Sequence, residues 1–239
     1  MPQLAWIRPD DPPDTFPDPR GALREPDGLL AAGGDLSPAR LLYAYRHGIF
    51  PWYSAGQPIL WWCPDPRAVL FPDALHISHS LRKTLRKADY RVTLDCAFPD
   101  VIRGCAATLR GNSAPGTWIT PEMQLAYTEL HRLGHAHSVE VWADGKLVGG
   151  VYGVSMGRVF FGESMFSRQA NASKIALAWL TRQLSAWHYK VMDCQVASPH
   201  LERLGSTLIS RTEFLSLLDR HASMDGHTGR WQFDISPVF

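Results

Sequence analysis

No run of about 18 apolar residues occurs in the 239-residue chain, so nothing in it reads as a membrane-spanning helix. The N-terminus, MPQLAWIRPDDPPD, has no basic start followed by an apolar stretch, and no secretory signal is expected. Cysteine is scarce. Cys63, Cys96, Cys105 and Cys194 form no CxxC pair, which counts against a zinc knuckle or a disulfide framework and suits the reduced thiols of a cytoplasmic protein. Charge of one sign is also missing: the formal net charge is +1, so any site for a polyanion must be a local patch. There is no Gly-x-Ser-x-Gly elbow, no GxGxxG fingerprint, no P-loop and no internal repeat. His76 with His79, and His135 with His137, lack clustered acids or cysteines, so neither a metal nor a cofactor is expected.

What is present is a globular composition, 45% apolar and 20% charged, with nine tryptophans. Trp61 and Trp62 are adjacent and would point to opposite faces of a strand, so at most one of them belongs in a core. Aromatics left over near basic residues suit stacking on nucleobases. Residues 1 to about 35 are rich in proline and glycine and read as extended segments and turns. A helix follows, with Ser37 as cap, Pro38 in its first turn and Gly48 at its stop. The aromatic segment 49–67 reads as short strands or an ordered loop, and the composition shift near 63–67 marks a domain boundary, giving 1–64 and 65–239.

In the second part, SHSLRKTLRKA (78–88) predicts a basic helix, YRVTL (90–94) a strand and 97–107 a short helix. RGNSAPGTW reads as a polar loop, Thr120-Pro121-Glu122 opens a helix, and Gly134 ends it. SVEVW, LVGGVYGV and RVFFGESMF form a three-strand meander, with turns at Asp144-Gly145 and at Ser155-Met156-Gly157. A long amphipathic helix from about Ala172 to Trp187, a buried strand YKVMDCQV and a helix boxed by Ser210 and Glu213 complete the chain. A meander leading into a strand–helix–strand crossover predicts an α+β fold: a GNAT-like acyltransferase domain behind a small N-terminal α/β domain. In such folds the crossover strands splay and an acyl donor lies between them. The loop SRQANAS before the crossover helix has no glycine. It reads as a polar cap, with Asn171 or Ser173 capping, and argues against the coenzyme A pyrophosphate cradle.

Two acids interrupt apolar strands, Glu163 in FFGESMF and Asp193 in VMDCQV. Each either pairs structurally or faces solvent at a strand end, or the two flank a cleft. Gln195, two residues beyond Asp193, would share its strand face, and an acid beside an amide could orient and deprotonate an amine. Arg82, Lys83, Arg86 and Lys87 form either a solvated helix face or a surface that tracks phosphates.

The segments GGDLSP, GIFPW, LWWCPDPR, GTWIT, GESMFS and DCQ, within longer matching stretches over most of residues 16–218, resemble the leucyl/phenylalanyl-tRNA–protein transferase family. The resemblance implies transfer of leucine or phenylalanine, less readily methionine, from Leu-tRNA or Phe-tRNA to proteins beginning with Arg or Lys. The product carries an N-terminus that marks it for degradation. It implies Asp193 and Gln195 as the catalytic relay, Glu163 as the acid where donor and acceptor meet, and Trp52 and Trp118 around the terminal adenosine. Val151, Phe160, Leu177, Leu180, Leu184 and Met192 fall where the family builds its side-chain pocket. Arg86 and Lys87 match its RNA-binding cluster, extended here to Arg82 and Lys83. A cytoplasmic monomer without metal or coenzyme is expected. The chain departs from the family pattern at Arg203, where a small hydroxyl residue is usual, at Leu180, which replaces an aromatic of some relatives, and after residue 220. A small-molecule N-acyltransferase and a non-catalytic RNA-binding module are the competing readings.

Overall fold

The computed structural model describes residues 4–87, 89–108 and 118–236. Its N-terminal part is a four-stranded sheet and one helix: β1 (Ala5–Ile7), β2 (Leu29–Gly33), α1 (Pro38–Arg46), β3 (Phe50–Pro51) and β4 (Leu60–Trp62), with strand order β1-β2-β4-β3. The Ser37 hydroxyl accepts from the Arg40 N–H and caps α1. Gly48 ends the helix with φ +74°, where a Cβ would also stand 3.0 Å from Leu215. The adjacent tryptophans divide as alternation requires. Trp61 is fully buried and donates its indole N–H to Gly33 O, whereas half-buried Trp62 donates to Trp52 O at 2.7 Å and braces that residue's backbone.

The rest of the chain forms β5 (Arg67–Leu70), α2 (His79–Lys87), β6 (Arg91–Leu94), α3 (Phe98–Ala106), α4 (Pro121–Arg132), β7 (Ala136–Ala143), β8 (Lys146–Met156), β9 (Val159–Ser167), α5 (Ala172–Ala186), β10 (Val191–Gln195), α6 (Pro199–Arg203), β11 (Thr207–Ile209) and α7 (Arg211–His221). The strands make one sheet, ordered β11-β5-β10-β9-β8-β7-β6, antiparallel except for the β9–β10 pair. The expected meander is β7-β8-β9. Its second turn falls one position later than expected. β8 runs on through Met156, paired with Val159, because the Ser155 N–H donates to His135 O and the Ser155 hydroxyl bonds Tyr189. Strands β5 and β11 and helix α6 went unread. They span four, three and five residues, too short for periodicity to register. Of the polar loop RGNSAPGTW, only Trp118 lies within the described residues.

The topology leaves one opening. β10 pairs with β9 only over Val191–Asp193, opposite Val159–Phe161. Its register against β5 then shifts between Asp193 and Gln195, and Gln195 turns through φ +64°. The β10-facing edge of β9 beyond Phe161 has no strand partner among the described residues, and a cleft opens there. α5 closes over β8 because Gly149 permits it: a Cβ at that position would lie 2.4 Å from the Ala172 Cβ. The two faces of the sheet bury separate apolar clusters. Phe161 faces the cluster of Tyr45, Ile49 and Phe214, while its neighbour Phe160 faces that of Leu177, Leu180, Leu184 and Trp231. The C-terminal tail joins the second cluster, with the Trp231 ring stacked 3.6 Å from His137 and the Trp231 backbone N–H donating to Asp95.

Candidate active site

The cleft is a cavity of about 640 Å³. Val151, Met165, Phe166, Leu177 and Met192 give it apolar walls, and Trp52 and Trp118 also line it. Trp52 is 43% exposed, and its ring lies 5.8 Å from that of Trp62. β9 bulges at Glu163, between the partners of Tyr152 and Gly153, so Glu163 faces Tyr45 while Met165 packs beside Val151, and both reach the cavity. A carboxyl group thus stands in otherwise apolar surroundings.

Glu163 is 7% exposed. Its Oε1 accepts from the Tyr45 hydroxyl at 2.7 Å and from the Gln195 side-chain amide at 2.8 Å. Tyr45 in turn shares a very short hydrogen bond with Tyr127. Burial pushes the Glu163 carboxyl up to about 7, with the nearby Asp193 charge adding to the rise and the bonds from Tyr45, Tyr127 and Gln195 opposing it. Both tyrosines are held well above their usual range, by burial first and then by the Glu163 charge, so their hydroxyls stay protonated donors. A buried acid poised near neutrality is suited to exchanging a proton with an amine.

Asp193 stands elsewhere than strand alternation suggests. The shift after Asp193 takes Gln195 into the cavity wall and leaves Asp193 behind it, fully buried. Both carboxylate oxygens are occupied by the Arg67 guanidinium, at 2.8 and 2.7 Å, and Oδ1 also accepts the Gln195 N–H at 2.9 Å. Arg67 is itself buried, with the rings of Phe50 and Phe214 on it at 4.8 and 4.5 Å. The geometry therefore corrects the placement of the acid and amide side by side. Gln195 and Glu163 meet in the cavity, and Asp193 fixes the backbone of Gln195 from beneath.

Of the other expected site residues, Val151, Leu177, Met192, Trp52 and Trp118 line the cavity. Phe160, Leu180 and Leu184 do not; all three are buried in the apolar cluster behind it, which corrects their assignment to the pocket surface. Reading the sequence missed Tyr45, Arg67, Tyr127, Met165 and Phe166. Tyr45 and Tyr127 sit on separate helices and meet Glu163 only through tertiary packing, so no local pattern could join them. On α2, Leu81 and Leu85 turn inward while Arg82, Lys83, Arg86 and Lys87 are exposed and lie outside the cavity lining; Lys87 pairs with Asp89 at 2.6 Å. Before α5, Asn171 holds the cap position without a side-chain bond. Asn171 is thus the cap residue of the two expected, and the Ser167 hydroxyl, not its own side chain, accepts the Ser173 N–H. No cluster of three or more His, Cys, Asp or Glu side chains able to hold a metal ion occurs among the described residues.

An antiparallel meander, a crossover helix and a splayed parallel pair enclosing an acid–amide couple define an acyltransferase of GNAT-like α+β architecture. The chain belongs to the leucyl/phenylalanyl-tRNA protein transferase family and is thereby an aminoacyltransferase: the family model of that description matches residues 69–219, and the model of its N-terminal domain matches residues 34–65. It is 57% identical over 218 residues to a leucyl/phenylalanyl-tRNA–protein transferase of Stutzerimonas stutzeri (strain A1501), covering 91% of this chain and 95% of that one. To the protein of the same description from Alkalilimnicola ehrlichii it is 52% identical over 241 residues, covering 100% and 93%. Among solved structures it is similar to a GCN5-related N-acetyltransferase from Kribbella flavida, with a TM-score of 0.38, 13% identity, and 71% and 60% of the two chains covered.

Proposed function

We propose that this chain moves leucine or phenylalanine, less readily methionine, from the 3′ end of an aminoacyl-tRNA to the N-terminal amine of proteins beginning with Arg or Lys, marking them for degradation. The observation that carries the reading is the Gln195–Glu163 hydrogen bond of 2.8 Å inside an apolar cavity. In this reading Trp52 and Trp118 hold the terminal adenosine by its base, and the donor's apolar side chain rests against Val151, Met165, Leu177 and Met192. The incoming amine attacks the ester carbonyl carbon. A C–N bond forms, the C–O bond to the ribose breaks, and the proton shed by the amine reaches the ribose oxygen by way of Glu163. The Gln195 amide orients the acid, and Asp193 with Arg67 is the positioning pair behind it. An α-amine has a pKa of roughly 7.7–8.0, so alignment rather than strong basicity supplies much of the rate.

Arg82, Lys83, Arg86 and Lys87 take the body of the tRNA through its phosphates. The domain division at 64/65 belongs to the same reading, between the strand ending at Trp62 and the one beginning at Arg67. So does action as a monomer in the cytoplasm. The test is incubation with radiolabelled Leu-tRNA and one protein in two forms, starting with Arg or with Ala. Label should enter the Arg form alone. Equal labelling of both, or of neither, would overturn the acceptor assignment or the whole reading respectively.

A further inference from the structure

Beside one wall of the cavity stand two cations that the reaction above leaves unused. His200 and Leu201 of α6, together with Ser173 in the first turn of α5, line the cavity on this side. Lys174 follows Ser173 directly. Arg203 lies three residues beyond His200, hence on the same side of the short helix one turn on. Lys174 is half-buried and Arg203 exposed, and neither makes an ion pair or a side-chain hydrogen bond with the described residues. Burial, and then the charges of Lys174 and Arg203, hold the His200 imidazole below its usual value, so the three groups share one electrostatic neighbourhood. Glu202, the acid on α6, is exposed and forms no ion pair with any described residue. An unneutralised cationic rim at the mouth of a binding cavity attracts an anion.

We infer that Lys174, His200 and Arg203 form a phosphodiester-binding rim that seats the single-stranded end of the donor RNA as it enters the cavity. The inference rests on the function proposed above and adds a second phosphate contact zone, separate from the exposed helix α2. Charge decides which substrate the rim serves. The acceptor proposed above presents a cationic first residue and would be repelled here. The terminal nucleotide can place its base between tryptophans and its aminoacyl group in the apolar hollow, but its 5′ phosphates must leave across an edge. His200 at the lining gives a neutral N–H donor, and Lys174 and Arg203 give the charge.

The experiment compares wild type with the Lys174→Ala/Arg203→Ala double variant, using two donors: Leu-tRNA, and leucine esterified to adenosine, which has no phosphate. Losing two single-strand phosphate contacts flattens the salt slope by roughly 1.4. Between 50 and 200 mM salt the KM of wild type for Leu-tRNA should therefore rise about sevenfold more than that of the variant. Transfer from leucyl-adenosine should be unchanged. Equal loss with both donors, or an unchanged salt slope with Leu-tRNA, overturns the inference. So does a defect confined to acceptors with acidic residues after their first position, which would assign the rim to the protein substrate. Failure of wild type to use Leu-tRNA at all would instead sink the underlying function, so the two failures are distinguishable.

Discussion

The position of the Glu163 carboxyl near 7 fixes a particular shape for the pH dependence of transfer. In the reaction proposed above, two groups lose a proton before the amine attacks and hands one on: Glu163, and the acceptor α-amine with its pKa of roughly 7.7–8.0. A plot of log kcat/KM against pH should then rise with a slope of two below about pH 7, flatten toward one, and level off above about pH 8. Glu163→Gln should leave a single limb of slope one at a much lower rate. Tyr45→Phe is the sharper perturbation. It removes the hydroxyl that donates to Glu163 Oε1 at 2.7 Å, a bond that favours the ionised acid. A hydrogen bond to a charged group is worth about 1.5–3 kcal/mol, and one pKa unit is 1.36 kcal/mol. The lower limb should thus move upward by about one to two pH units, merging with the amine limb near 8. Steady-state rates from pH 5.5 to 9 with saturating Leu-tRNA and limiting Arg-initiated peptide give the profile. A wild-type slope of one throughout, or a Tyr45→Phe profile superimposable on wild type, would remove Glu163 from the proton path.

Glu163 should also mark stability. Its folded value lies above the ordinary 4.5, so the stability it contributes is fully present below about pH 4.5 and is lost as pH rises to about 7. Glu163→Gln should therefore gain on wild type by up to about 3 kcal/mol between pH 4.5 and 7.5 in urea unfolding, and a pH-independent difference would count against the raised value. Asp193→Ala strands the buried Arg67 guanidinium and should cost about 3–5 kcal/mol of stability along with transfer. Replacing Arg67 by Met in that background should return part of the stability but not the activity, since neither residue then holds Gln195. Replacing Arg86 and Lys87 by Ala should reduce the salt slope of tRNA binding by roughly one to two in a filter assay while leaving leucyl-adenosine turnover intact.

Periodicity reached most of the scaffold. The meander, the crossover helix and the capped helices α1, α4 and α7 carry their signals within a dozen or so residues, as Ser37-Pro38, Thr120-Pro121, Asp144-Gly145 and Ser210-Glu213 show. β5 and β11 do not, because they are short strands whose place in the sheet is set by partners far along the chain, Arg67–Leu70 against Met192–Gln195 and against Thr207–Ile209. The site divided along the same line. Glu163 and Asp193 stand out as acids in apolar strands, and Gln195 follows from its two-residue spacing from Asp193. Phe160, placed by resemblance, is buried in the cluster behind the cavity and is absent from its lining. Leu180 and Leu184 lie further along α5 than the turn at Leu177 that reaches the cavity.

The bulge at Asp193–Gln195 shows why strand period alone pairs Asp193 with Gln195 and misses the neighbours each one has. Had β10 kept its register, Asp193 and Gln195 would present side chains to the same face, and two carboxylates, Asp193 and Glu163, would compete for one amide. The positive φ at Gln195 separates them. One carboxylate is neutralised by a bidentate arginine and spends a lone pair on the Gln195 backbone; the other meets the Gln195 side chain with no cation in direct contact among the described residues. The same glutamine thus reads both acids, one through its main chain and one through its amide. The Asp193 charge beneath adds to the rise that burial imposes on Glu163. Removing the arginine would free that negative charge, so an Arg67 variant that still folds should show the Glu163 limb displaced upward, as Tyr45→Phe does. A limb that stayed in place or moved downward would refute the influence of the Asp193 charge on Glu163.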